Sequence, residues 1–292
     1  MIRMSAQHSP TDLDQYLQAA FDAAEGAGRI LNRHFGNLRK IDEKFQAGLV
    51  SEADKESEAF IKQLFASRFP DHAVLGEESG LSTPLSTSGV QGNSDQKTGG
   101  KSGPGGQSNK LWIIDPLDGT TNYVHQFPVF CISIGLEIDG ELVLGVVDAP
   151  KLGKRFHAVK GRGAYCNDER IHVSKRDQFK DGLFATGFFG HDEALDEQLE
   201  LCAHVIRQSR GLRRAGSAAM DLCFVAQGVF DAFWERNLSP WDTAAGIVIA
   251  REAGALATDM QGAFFEPRMK SILCGNPALH AEMLKQIAAK KR

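Results

Sequence analysis

The chain has 292 residues, enough for one large domain or two smaller ones, and its 42% hydrophobic and 24% charged residues are an ordinary globular composition. A net charge of −4 argues against nucleic-acid binding through bulk positive charge. The five scattered cysteines form no CxxC pair, so core thiols in a reducing compartment are expected in place of a disulfide framework or zinc site. No apolar run is long enough to cross a bilayer and MIRMSAQHSP lacks a signal-peptide core, which makes the cytoplasm the expected location.

In chain order, residues 12–34 carry apolar positions at helical spacing, with Thr11 and Asp14 as a capping pair. A second helix is expected from Glu52 to Phe69, capped by Ser51 and stopped by Pro70, and AVLGEE reads as a short strand ending in acids. In residues 81–110, eighteen of thirty are Gly, Pro, Ser or Thr, so this segment reads as a flexible surface insertion without core-forming pattern, with a linker between two domains as the competing reading. Strands follow in LWIID, FCISIGLEI and ELVLGVVDA, the last two joined by the hairpin signal Asp139-Gly140. KRFHAVK and RIHVS add strands around a Gly161–Gly163 turn. Beyond Asp192 come a helix to about Arg210, a helix from Ser217 to Gln227, the strand VFDAFW, a helix from Asp242 to Ala253, the strands ALATD and SILCG, and a helix from Pro277. Antiparallel hairpins followed by alternating elements indicate a layered α/β (α+β) fold.

The chemistry concentrates in LWIIDPLDGTTN. Asp115 and Asp118 stand three residues apart where an apolar run stops, and buried charges need a partner. Asp-Pro-Leu-Asp-Gly is also a good turn sequence, and taken alone the two readings are equal. If Gly119 and Thr120 open a helix, their amides point at an anion while the carboxylates face hard cations, and an oxygen-only set selects Mg²⁺ or Mn²⁺ over zinc. Glu77 and Glu78 at another strand end, and Asp242 at the start of an almost wholly apolar helix, add weight, although Asp242 alone would read as a helix cap. His125, His157 and His191 are set aside as ordinary histidines, and Trp112, Trp234 and Trp241 as packing residues.

Together GEES, WIIDPLDGTTNYVHQFP and WDTAAGIVIAREAGA resemble the inositol monophosphatase family of Mg²⁺-dependent, lithium-sensitive phosphatases, from about Ala47 to the C-terminus. The resemblance implies one domain over residues 1–292 with the layered αβαβα sandwich of the inositol monophosphatase and fructose-1,6-bisphosphatase type, the 81–110 segment looping out of it, and a homodimer. It implies two or three Mg²⁺ ions, with Mn²⁺ able to substitute, on Glu77, Asp115, the Leu117 carbonyl, Asp118 and Asp242, with Glu78 secondary. It casts Thr120 as the residue orienting a metal-activated water, with Asp54 and Glu77 behind it. Gly119 and Thr120 amides, Gly216, Ser217 and Ala218 fall near the substrate, Glu235 accepts substrate hydroxyls, and Arg213 sits near the substrate or a subunit boundary. Gly48 stands where the family commonly has an aspartate, so no side-chain ligand is expected there. The implied reaction is hydrolysis of a small polyol monophosphate such as inositol 1-phosphate. The alternatives are a relative acting on histidinol phosphate, fructose 1,6-bisphosphate or a 3′-phosphonucleotide, and a binding protein that kept the fold without catalysis.

Overall fold

The computed structural model describes residues 10–44, 48–82, 109–188 and 193–290. It begins with helix α1 (Pro10–His34), the strands β1 (Ile41–Lys44) and β2 (Gly48–Ser51), and α2 (Glu52–Arg68). Strands β3 (Ala73–Gly76), β4 (Gly80–Ser82) and β5 (Lys110–Asp118) follow, then the short α3 (Thr120–Val124). The hairpin series is β6 (Cys131–Ile138), β7 (Glu141–Ala149), β8 (Lys154–Val159), β9 (Ala164–Cys166) and β10 (Glu169–Ile171). The last third is β11 (Leu183–Thr186), α4 (Leu195–Gln208), β12 (Gly211–Arg213), α5 (Ala218–Ala226), β13 (Ala232–Arg236), α6 (Pro240–Glu252), β14 (Leu256–Thr258), β15 (Ser271–Gly275) and α7 (Pro277–Lys290).

The strands form an eight-stranded sheet in the order β10-β9-β8-β7-β6-β5-β3-β4, a five-stranded sheet in the order β12-β11-β13-β15-β14, and the separate β1–β2 pair. Helices α1 and α2 cover one face of the large sheet, where Phe65 stacks on Trp112 at 4.1 Å. Helices α5 and α6 lie between the sheets, and α4 and α7 cover the far face of the small one. The result is an αβαβα sandwich. Strand β13 shows why: its alternation sends Phe233 to the middle layer and Ala232 and Trp234 to the outer one. A helix between two sheets has no solvent face, which explains why every residue of α6 from Thr243 to Ala250 is buried.

Several local expectations hold for stated reasons. Asp139 and Gly140 both adopt left-handed backbone (φ 54° and 80°), the conformation that a two-residue hairpin turn demands. Ser51 caps α2 in a capping box with Asp54. Others shift. Helix α1 already includes Thr11, which is therefore not its cap. The strand expected in VFDAFW begins only at Ala232, because the chain turns through Gly228 (φ 73°) after α5, and the strand expected in RIHVS ends at Ile171. Of the segment 81–110, Leu81 and Ser82 belong to β4 and Lys110 opens β5; residues 83–108 lie outside the described residues. The flanking strands β3 and β5 pair directly in parallel within one sheet. All five cysteines are buried and unbridged.

Two glycines seat the central helix. Gly135 of β6 and Gly145 of β7 are cross-strand partners, and α6 rests on them. A Cβ at Gly145 would lie 2.3 Å from the Ala245 carbonyl oxygen, and one at Gly135 would lie 2.9 Å from the Ala244 Cβ. The Ser133 hydroxyl also donates to the Trp241 carbonyl at 3.1 Å, fixing the first turn of α6 to β6. Gly145→Ala must push backbone against backbone, and we expect a loss of about 1–3 kcal/mol in urea unfolding; a variant as stable as wild type would show that α6 has room to shift.

Candidate active site

The two aspartates of β5 share one end of the sheet because the strand is bulged. Asp115 pairs opposite Ser133 and Asp118 opposite Cys131, so β5 spends one residue more than β6 over this stretch. In a regular strand, residues three apart point to opposite faces; the extra residue corrects this. Pro116, which has no N–H to lose, lies in the bulge. Gly119 then turns the chain into α3 with φ 95°, and a Cβ there would sit 3.0 Å from the Val129 carbonyl and 3.2 Å from the Gly216 carbonyl. Only glycine meets both conditions.

Asp242 reaches the same point from α6. Its Oδ2 accepts the Ser239 N–H at 2.6 Å, so it is the third-position acid of a capping box whose cap is Ser239. That capping role does not exhaust it. Oxygens of Asp115, Asp118 and Asp242 all lie within 4.8 Å of one another. Burial pushes the Asp115 carboxyl well above the usual range, and the charges of Glu77, Asp118 and Asp242 push it further. Burial raises Asp118 to about 6 against the opposing hydrogen bond from Ser217. Such a donor set suits a hard divalent cation.

The pocket beside this cluster is lined by Glu77, Asp118, Gly119, Thr120, Gly216, Ser217, Ala218, Glu235 and Asp242, nearly all of the residues expected there. Asp54 joins through Thr120, whose hydroxyl lies 3.2 Å from Asp54 Oδ1 and 3.0 Å from the Leu117 carbonyl oxygen. Asp54 is itself fixed, its Oδ2 accepting from the Ser51 amide and hydroxyl at 2.8 and 2.6 Å. Glu235 is buried against Gly187, and burial followed by the charges of Asp242 and Asp118 raises its carboxyl well above the usual range. The surface pairing that could have occupied it is not made: Arg236 pairs with Glu197 and Arg213 bonds the Leu212 carbonyl. The arginine lining the pocket is Arg214; Arg213, expected near the substrate or a subunit boundary, is not among the lining residues. His125 is exposed, His157 packs against Phe21 and Tyr165, and His191 lies outside the described residues. Trp112 and Trp234 are fully buried core residues.

Three supporting residues escape a reading of the sequence. Asn122 donates to the carbonyls of Val129 and Ala215, both at 2.7 Å, tying the loop before α5 to the Asp-Gly-Thr turn. Glu58 of α2 accepts the amides of Glu78 at 2.8 Å and Ser79 at 3.0 Å, anchoring the turn that carries Glu77. No local pattern marks Glu58, because its partners are 20 residues away. Asp221 is almost fully buried beside Glu235, with an Oδ1 that has no hydrogen-bond partner among the described residues. Its signal was available, since it is a lone acid in an apolar helix.

A larger cavity of about 380 Å³ between the β6–β7 hairpin and α6 differs in kind. There Arg268 bonds Glu137 at 2.9 and 3.2 Å, and Glu252 accepts the amides of Gly161 and Gly163 at 2.8 Å, so these charges are already matched.

The comparisons agree with this geometry. The model of the inositol monophosphatase family matches residues 12–292. The chain is 38% identical over 283 residues to an inositol-1-monophosphatase of Synechocystis, covering 96% of this chain and 91% of that protein. It is 36% identical to a fructose-1,6-bisphosphatase/inositol-1-monophosphatase of Aquifex aeolicus, covering 96% and 97%. The crystal structure of extragenic suppressor protein suhB from Bartonella henselae matches with a TM-score of 0.83 at 36% identity, over 94% of this chain and 98% of that one. With the layered sandwich, the bulged Asp-Pro-Leu-Asp-Gly strand end and the match over nearly its whole length, this chain belongs to the inositol monophosphatase family.

Proposed function

We propose that the chain is a Mg²⁺-dependent phosphatase of small polyol monophosphates, with inositol 1-phosphate as the reference substrate. The observation that carries this reading is the convergence of Asp115, Asp118 and Asp242 beside a pocket that is lined by Glu77, Thr120 and Glu235. Glu77, Asp115, the Leu117 carbonyl, Asp118 and Asp242 would hold the cation. Bound there, Mg²⁺ supplies Lewis acidity toward the phosphate ester and the attacking water.

The chain's own residues then have distinct tasks. Thr120 has one hydroxyl proton and two acceptors for it, Asp54 and the Leu117 carbonyl. With that proton committed, its remaining lone pairs accept from a water and orient it toward phosphorus. Asp54 cannot turn away because Ser51 grips its other oxygen. The amides of Gly119 and Thr120 open α3 on the same side and are available to phosphate oxygens. Gly216 and Ala218 form the substrate-side wall, where side chains are small enough to admit a ring. Glu235 accepts hydrogen bonds from vicinal hydroxyls. A homodimer and a cytoplasmic location complete the proposal; among the described residues no helix is long and apolar enough to cross a membrane.

A second reading, a sugar bisphosphate as substrate, has Arg214 in its favour, since a cation at the rim of this pocket can receive a second phosphate. A panel of phosphomonoesters and bisphosphates separates the two. Phosphate release should be fastest with inositol 1-phosphate, require Mg²⁺, stop on chelation and be inhibited by lithium chloride but not by potassium chloride at equal ionic strength. Release from no ester at all would favour a binding protein that kept the fold.

Glu235 tests the choice of substrate. Charge-assisted hydrogen bonds contribute about 1.5–3 kcal/mol each, so Glu235→Gln should lower kcat/KM for inositol 1-phosphate by roughly tenfold or more. p-Nitrophenyl phosphate, which offers no hydroxyls, should be cleaved nearly as before. An equal loss on both would mean that Glu235 supports the site generally and does not read hydroxyls.

A further inference from the structure

The resemblance in sequence puts Ser217 among the substrate contacts, but its hydroxyl is engaged elsewhere. It donates to Asp118 Oδ2 at 2.7 Å and accepts the Met220 N–H at 3.3 Å as the N-cap of α5. A serine hydroxyl has a single proton, and here Asp118 takes it. Ser217 is also buried, at 2% exposure. The same Asp118 oxygen accepts the Ala219 N–H at 2.8 Å, and the Cys131 thiol sits behind it, 3.9 Å from Oδ2 and 3.6 Å from the Ser217 hydroxyl. A carboxylate oxygen offers two lone pairs, so the hydroxyl and the amide saturate Oδ2 and leave Oδ1 as the oxygen with lone pairs to give.

We propose that Ser217 is a positioning residue for the cation site: together with the first turn of α5 it grips one oxygen of Asp118 and so presents the other, singly, to the metal. The proposal rests on the metal-dependent reading given above. It makes α5 a clamp whose cap and whose grip on Asp118 are one hydroxyl. It also fixes what an amide at position 118 would do. In Asp118→Asn the amide oxygen must stay toward the Ser217 and Ala219 donors, because an NH₂ there would face an N–H. The NH₂ then replaces Oδ1 and turns a donor toward the cation, so asparagine becomes no ligand at all.

The test is Mn²⁺ binding to the chelator-stripped full chain without substrate, followed by electron paramagnetic resonance, in wild type, Ser217→Gly, Ser217→Ala, Ser217→Thr and Asp118→Asn. Glycine removes the hydroxyl yet is tolerated at a helix N-cap within a few tenths of a kcal/mol, which separates the grip on Asp118 from the stability of α5. Residues that hold a ligand in place are typically worth about 10–100-fold in metal affinity. Ser217→Gly and Ser217→Ala should both weaken Mn²⁺ binding by about that factor, Ser217→Thr should restore it, and Asp118→Asn should lose it almost wholly. At saturating Mn²⁺ the KM for inositol 1-phosphate should be unchanged in Ser217→Gly. Wild-type Mn²⁺ affinity in the glycine and alanine variants would overturn the clamp, as would a raised KM with metal affinity intact, the behaviour of a substrate contact. Failure of the wild-type chain itself to bind Mn²⁺ would overturn the metal reading, and the clamp with it.

Discussion

Like charges held together against their repulsion are the constraint on which this structure turns. Asp115, Asp118 and Asp242 come within 4.8 Å of one another from two separate elements. At an effective dielectric constant of about 20, each ionised pair at that separation repels by about 3 kcal/mol. A loose scaffold would relax the clash by moving the elements apart. Here the bulge of β5, the seat of α6 on Gly135 and Gly145, and the first turn of α5 hold the groups in place. The cost appears in the carboxyl pKa values. A carboxyl whose pKa is raised by folding binds its proton more tightly folded than unfolded. Its contribution to stability therefore falls as pH climbs from about 4 toward the value of about 6 at Asp118, and a divalent cation removes that penalty.

The rest of the scaffold is explicable as support for that arrangement. Asn122 and Gly119 tie the turn after Asp118 closely to the loop before α5. Glu58 holds the turn that carries Glu77. The cavity near Arg268 shows the contrasting case, where Glu137 already has its cation and Glu252 its amides. That cavity is larger than the pocket beside the aspartates, at about 380 Å³ against about 170 Å³, but unmatched charge favours the smaller one.

How much of this could be read from the sequence follows from how far each interaction reaches. The Asp139-Gly140 turn, the Ser51 cap and the acids of the Asp-Pro-Leu-Asp-Gly run depend on neighbours within a few residues, and all were legible. The β1–β2 hairpin was not, because IDEK and GLVS carry no clear alternation. Glu58, Asn122 and the grip of Ser217 on Asp118 join residues 20 to 99 positions apart, and only the folded chain brings them together. The family motif located the acids, while the geometry alone shows that Ser217 turns its hydroxyl to a carboxylate and that Arg214 lines the pocket.

On the proposed reading, Asp115, Asp118 and Asp242 are gathered to hold divalent metal. Anomalous X-ray diffraction from crystals equilibrated with Mn²⁺ tests it without assuming a substrate. Strong anomalous peaks are expected among Asp115, Asp118 and Asp242, with Asp118 ligating through the single oxygen that Ser217 leaves open. Peaks absent from this cluster, or confined to the cavity beside Glu137 and Glu252, would contradict it.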